Sequence, residues 1–148
     1  MKKVILLVSI LFLTFSSCSS GGSDGTSTDE QLVGKWEVFQ VNIFPAGTVI
    51  TGNETLMPFN FACPTLKDYV LFGSQGTAKV ATYNSSCSEE ANIGTYTKTD
   101  FLINFYQNNV YDGSWEIISL TNTTLKVKYP NPSTGTPVEI FVMSFKKV

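Results

Sequence analysis

Eight short runs rich in β-branched and aromatic residues, each closed by turn residues, follow one another from residue 35 to the end of the chain. They span Lys35–Ile43, Lys67–Phe72, Thr77–Tyr83, Asn92–Lys98, Phe101–Tyr106, Tyr111–Leu120, Thr124–Tyr129 and Val138–Lys147. Between them stand Gly73-Ser74-Gln75-Gly76, residues 84–89, Thr99-Asp100, residues 107–109, Thr121-Asn122-Thr123 and the Pro-rich stretch 130–137. Short strands at regular spacing with turn chemistry between them indicate an all-β sandwich or barrel. No stretch after residue 34 holds a 3.6-residue period long enough for a helix.

Alternation gives the strands an inside and an outside. Leu125, Val127 and Tyr129 share one face and Lys126 and Lys128 the other, the pattern of an antiparallel sheet with one buried and one wet side. Strand one breaks this rule. Phe39, Val41 and Ile43 fall opposite Trp36 and Val38, so either a bulge changes the register or the long segment after it covers the outer face. The last strand is apolar on both faces, and its inside is not assignable from sequence. The 44–66 segment is the longest connection, holds Pro45, Pro58 and Pro64, and has the length of a functional lid.

The N-terminus predicts export. Lys2 and Lys3 precede a 12-residue apolar run, Val4 to Phe15. A bilayer-spanning helix needs roughly 20 apolar residues, so this run suits a cleavable signal peptide. Phe15-Ser16-Ser17-Cys18 resembles a bacterial lipobox, which implies signal removal at residue 17 and lipidation of Cys18. Ser19 after the cysteine implies the outer membrane, on its periplasmic face or at the cell surface. Residues 18–29 are Ser/Gly-rich and read as the lipidated Cys and a flexible linker, leaving residues 30–148 as one domain. Thr28-Asp29-Glu30-Gln31 fits a capping box and predicts a short helical turn before the first strand.

Composition narrows the chemistry. All 10 cationic residues are Lys, with no Arg or His. Past residue 17, 8 Lys face 12 Asp+Glu. A mildly acidic chain without Arg is poorly suited to nucleic acid. Without His, Ser-His-Asp and Cys-His catalysis are excluded. A Ser144-x-x-Lys147 pair would sit on opposite faces of a strand. Neither an enzyme nor a cofactor or metal site is expected. Cys63 and Cys87, an even pair in an exported domain, read as a disulfide, with two buried free thiols as the rival.

Three Gly-x-aromatic triplets open strands: Gly34-Lys35-Trp36, Gly94-Thr95-Tyr96 and Gly113-Ser114-Trp115. Together with Leu32-Val33-Gly34-Lys35-Trp36 and the turn from Phe72 to Gly76, they make residues 32–148 resemble the lipocalin-like lipoprotein domains of Bacteroidetes-type bacteria. The resemblance implies an antiparallel up-and-down β-barrel of about eight strands with a small hydrophobic molecule or lipid in a central cavity. Trp36, Val38, Phe72, Tyr96, Phe105 and Trp115 are the residues expected to line it. True lipocalins pack an Arg from the last strand over the first Trp. Only Lys146 or Lys147 stands in that place here.

Such a barrel is just wide enough either to be filled or to hold one small ligand. Two functions therefore remain at this stage. One is a membrane-anchored carrier of a hydrophobic ligand. The other is a filled, non-enzymatic interaction module serving an envelope protein partner.

Overall fold

The computed structural model describes residues 30–106, 113–130 and 139–148. The signal peptide, Cys18, the linker and the first half of the capping box lie outside the described residues. Nine strands appear in that part: β1 (Gly34–Pro45), β2 (Met57–Pro58), β3 (Tyr69–Phe72), β4 (Thr77–Tyr83), β5 (Glu89–Lys98), β6 (Leu102–Tyr106), β7 (Gly113–Leu120), β8 (Thr124–Pro130) and β9 (Glu139–Lys147). Each pairs antiparallel with its neighbour, and β9 pairs back on β1, closing an eight-stranded up-and-down barrel. No helix occurs among the described residues; Glu30 to Leu32 form a turn in place of the helical turn expected there.

β1 runs the whole height of the barrel and holds the closure. Its lower half, Gly34 to Glu37, pairs with β3. β3 is only four residues long, so the upper edge of β1 would be left unpaired. β2 fills part of that gap by pairing Gln40 with Pro58 and Val41 with Met57. An open edge is a template for unwanted strand addition, and this two-residue strand covers it.

The register question in strand one resolves at Phe39. Val38 pairs with Phe145 and Gln40 with Ser144, so Phe39 is an extra residue on β1. That bulge, one of the two alternatives the broken alternation left open, turns Val41 inward, opposite Met143, while Ile43 near the top of the strand stays exposed. The outer face is also covered. Lys126 Nζ donates to the Gly52 carbonyl at 2.6 Å, and Asn42 Nδ2 donates to the Thr55 carbonyl at 3.2 Å. Residues 52–55 therefore strap the outside of β8, β9 and β1. Beneath the strap, Val142 and Ser144 are outward-facing yet buried. This explains why β9 reads apolar on both faces: Phe141, Met143 and Phe145 point in, and Val142 points out into a covered wall.

The barrel floor is closed. Leu32 is fully buried, and its carbonyl accepts a hydrogen bond from Trp36 Nε1 at 2.6 Å. Lys147 lies across the Trp36 ring, with Nζ 5.1 Å from its centroid, and donates to the Gln31 carbonyl at 2.9 Å. The last-strand cation thus does sit over the first Trp, as Lys instead of Arg. Gly34 makes this approach feasible. Its φ is +131°, and a Cβ there would lie 2.7 Å from Lys147 Cε.

Candidate binding cavity

The inward side chains form one aromatic column from floor to mouth. Tyr96 packs edge-on to Phe72 at 4.8 Å, and Phe72 meets Phe105 at 5.9 Å. Phe105 meets Trp115 at 4.7 Å. Trp115 stacks on Phe145 and on Tyr129, and Tyr129 stacks on Phe141 at 5.3 Å. Aromatic pairs at these spacings add to the burial term as well as filling volume.

Below Trp115 the barrel is full. Trp36, Phe72, Tyr96, Ile103, Phe105 and Leu125 are all 3% exposed or less. Tyr96 satisfies its buried hydroxyl by donating to the Gly73 carbonyl at 3.1 Å. Above Trp115 the same strands enclose a hollow of about 250 Å³. Val38, Val41, Val70, Val80, Trp115 and Met143 line it, with Phe59, Tyr129 and Phe141 toward the mouth. Of the six residues expected to line a cavity, Val38 and Trp115 border this one. Trp36, Phe72, Tyr96 and Phe105 form the packed half beneath it.

Two lining residues had weaker sequence signals. Phe59 comes from the long 44–66 segment, where no period marks an inward side chain. Its N–H donates to the Phe39 carbonyl at 2.9 Å, which seats it at the bulge. The segment is thus an outer strap that sends two aromatic rings, Phe59 and Phe61, against the core, in place of a lid across the mouth. The other is Asp68, directly before β3. Period two from Val70 and Phe72 puts it on the inward face, and its Oδ1 accepts a hydrogen bond from Tyr83 N at 2.8 Å. Burial pushes its carboxyl above the usual value, and the Tyr83 hydrogen bond offsets only part of that rise.

The mouth is tied together covalently. Cys63 and Cys87 form a disulfide with an S–S distance of 2.11 Å. It joins the end of the strap to the turn between β4 and β5. Cys87 adopts a left-handed backbone, φ 58°, in a turn where Asn84 Oδ1 accepts from the N–H groups of Ser86 and Ser88. Outside the barrel, Tyr69 lies between the ammonium groups of Lys35 and Lys79, and its hydroxyl donates to Glu89 at 3.2 Å. These groups brace the wall beside Asp68 from the solvent side.

A wider hollow of about 680 Å³ lies on the outer surface, bordered by Ala46, Leu102, Glu116, Lys128, Pro130 and Ile140. It is shallow and partly lined by charged side chains. Among the described residues, no grouping of Asp, Glu and Cys could hold a metal ion.

A family model described as a lipocalin-like domain matches residues 32–127. Among solved structures, a lipocalin-like protein from Bacteroides uniformis is similar with a TM-score of 0.52 at 14% identity. That match covers 80% of this chain and 99% of the other. An uncharacterized protein from Bacteroides eggerthii is similar at TM-score 0.47 and 16% identity, over 78% and 98% of the two chains. Bovine odorant binding protein, solved in complex with its natural ligand, is similar at TM-score 0.47 and 15% identity, over 85% and 77%. No curated protein matches the chain.

Proposed function

The chain belongs to the lipocalin-like domain family, and from that premise we propose that it is a binding protein that holds one small hydrophobic molecule in the upper half of its barrel. The observation that carries this reading is the apolar hollow of about 250 Å³ above a sealed floor. Dry apolar cavities of about 150 Å³ accept benzene, and drug-sized pockets start near 300 Å³. The volume therefore suits a compact ligand, such as a one- or two-ring aromatic or a short alkyl chain. A long-chain lipid would have to leave most of its length outside.

The hollow speaks against the filled-barrel reading. The absence of His supports a binding protein over an enzyme. We place the domain at the outer membrane on a lipid attached to Cys18. Two or three acyl chains hold such a protein without a spanning helix, at about 0.8 kcal/mol per buried CH₂. Labelling cells with an alkyne fatty acid should tag the native chain and leave Cys18→Ser untagged and released. Tagging of the Cys18→Ser chain would break the anchor assignment.

The cavity is tested by NMR titration with indole. Shifts should concentrate at Val38, Val70, Val80, Trp115 and Met143. Val80→Phe, which places a ring in the hollow, should abolish them while changing stability by about 1–2 kcal/mol. An absence of shifts at millimolar indole, or equal shifts in both proteins, would defeat the reading.

A further inference from the structure

Among the described residues the upper cavity is bordered mostly by apolar ones. The polar ones among the described residues that border it are Asp68, Tyr69, Thr82 and Tyr129. Two of these are engaged elsewhere: Tyr69 donates to Glu89 on the outside, and Tyr129 donates to Met143 Sδ at 3.2 Å. No Lys among the described residues lines the hollow, and the chain has no Arg or His to supply another cation. Among the described residues, Asp68 is the one formal charge in the cavity wall.

Asp68 is also held in place. Its carbonyl accepts from Val38 N at 3.2 Å, and Oδ1 accepts from Tyr83 N at 2.8 Å. The side chain thus caps the top of the β3–β4 ladder, where Tyr69 to Phe72 pair with Ala78 to Ala81. Each carboxylate oxygen can accept about two hydrogen bonds, so one backbone donor leaves acceptor capacity unused at the edge of the hollow. Among the described residues no cation forms an ion pair with it; Lys67, next to it in sequence, pairs with Glu37 at 3.7 Å. A partly desolvated carboxylate without a counter-ion is costly, and its charged form gains most from a cation or a strong donor placed beside it.

We propose that the cavity takes a hydrophobic amine, a compact apolar body of about ten heavy atoms whose ammonium group pairs with Asp68. The proposal rests on the cavity reading given above and narrows its ligand class. Val38, Val70, Val80 and Met143 take the apolar body, in the space that Trp115 and Tyr129 also border. The same wall disfavours fatty acids and other anionic ligands, because a second carboxylate would meet Asp68 with no cation between them.

Calorimetry on the full chain at pH 7 with three ligands that share one ring tests this: 2-phenylethylamine, 2-phenylethanol and phenylacetate. The amine should bind at least tenfold tighter than the alcohol, and phenylacetate weakest. Asp68→Asn keeps an oxygen for Tyr83 N, so it should bring the amine to the level of the alcohol and leave the alcohol unchanged. Equal affinity of amine and alcohol in the native protein overturns the amine assignment and leaves the cavity standing. So does an amine preference that survives Asp68→Asn. If none of the three binds, the cavity reading falls and the amine with it. The native ligand series decides the matter even where the variant does not fold.

Discussion

Below Trp115 the barrel is packed with Trp36, Phe72, Tyr96, Phe105 and Leu125 and sealed by Leu32 and Lys147. Above it, residues of β1, β3, β4, β7, β8 and β9 border a hollow of about 250 Å³, and a disulfide and an outer strap hold that half. The two halves share strands, hydrogen-bond ladders and an apolar inner face. They differ in side-chain volume: large rings below, and Val38, Val70 and Val80 above. The lower half supplies the stability that lets the upper half stay hollow, since a void leaves its lining without contacts on one side.

The largest test of this division compares one ring from each half. Trp36→Ala removes a fully buried indole and the Leu32 hydrogen bond, and should cost about 3–5 kcal/mol by denaturant unfolding. Phe141→Ala, at the half-buried rim, should cost about 1 kcal/mol. Similar losses at the two sites would mean that the upper half is as tightly packed as the lower.

The disulfide comes next. Cys63 and Cys87 close a loop with a sequence separation of 24, for which the chain-entropy model gives about 3 kcal/mol. Cys63→Ser with Cys87→Ser should lower stability by about that amount. It should also raise amide exchange in residues 59–66 and 84–88, ahead of the floor residues 32–36. Uniform exchange across both halves would show that the barrel opens as a single unit.

Much of this architecture is legible along the chain, because each strand carries its own alternation. Leu125, Val127 and Tyr129 point in and Lys126 and Lys128 point out, as period two requires, and residues 77–83 form β4 as read. What stayed hidden depends on contacts distant in sequence. The inside of β9 could not be chosen because the outer wall at Val142 is buried by residues some 90 positions earlier. The broken alternation in strand one signals a bulge or a covered outer face, but its place at Phe39 is not marked, since Phe39 and Val41 are equally apolar. The hollow was invisible for a related reason. Inward Val and inward Phe are both core by pattern, and only their stacking around the barrel shows where volume runs out. Asp68 was in view, two residues before Val70, yet a charge at a strand start reads first as a turn residue.

Protonation separates the strap from the cavity, with the smallest expected effects. Glu54 in the strap and Asp68 in the cavity shift in opposite directions. Burial pushes the Glu54 carboxyl up, but hydrogen bonds from Thr51, from its own N–H and from Gly52 outweigh this and bring it to about 2 from 4.5. Lys126 Nζ sits 3.5 Å from it. The folded chain therefore favours the ionised form. The stability this adds is complete above about pH 4.5 and is lost as pH falls toward 2. Asp68 is raised by burial, so the folded chain holds its proton more tightly. Ionising it costs stability as pH rises through and above its unfolded value. Glu54→Gln should therefore lower the melting temperature by a few degrees at pH 6 and leave it unchanged near pH 2. Asp68→Asn should be neutral or slightly stabilising at pH 6, because Asn keeps an acceptor for Tyr83 N and carries no charge. Thermal melts of both variants from pH 2 to pH 7 check this. A destabilised Asp68→Asn at neutral pH would mean that the cap on the β3–β4 ladder itself needs the charge. A neutral or more stable one would mean that the fold gains nothing from its charge, which leaves that charge to the ligand.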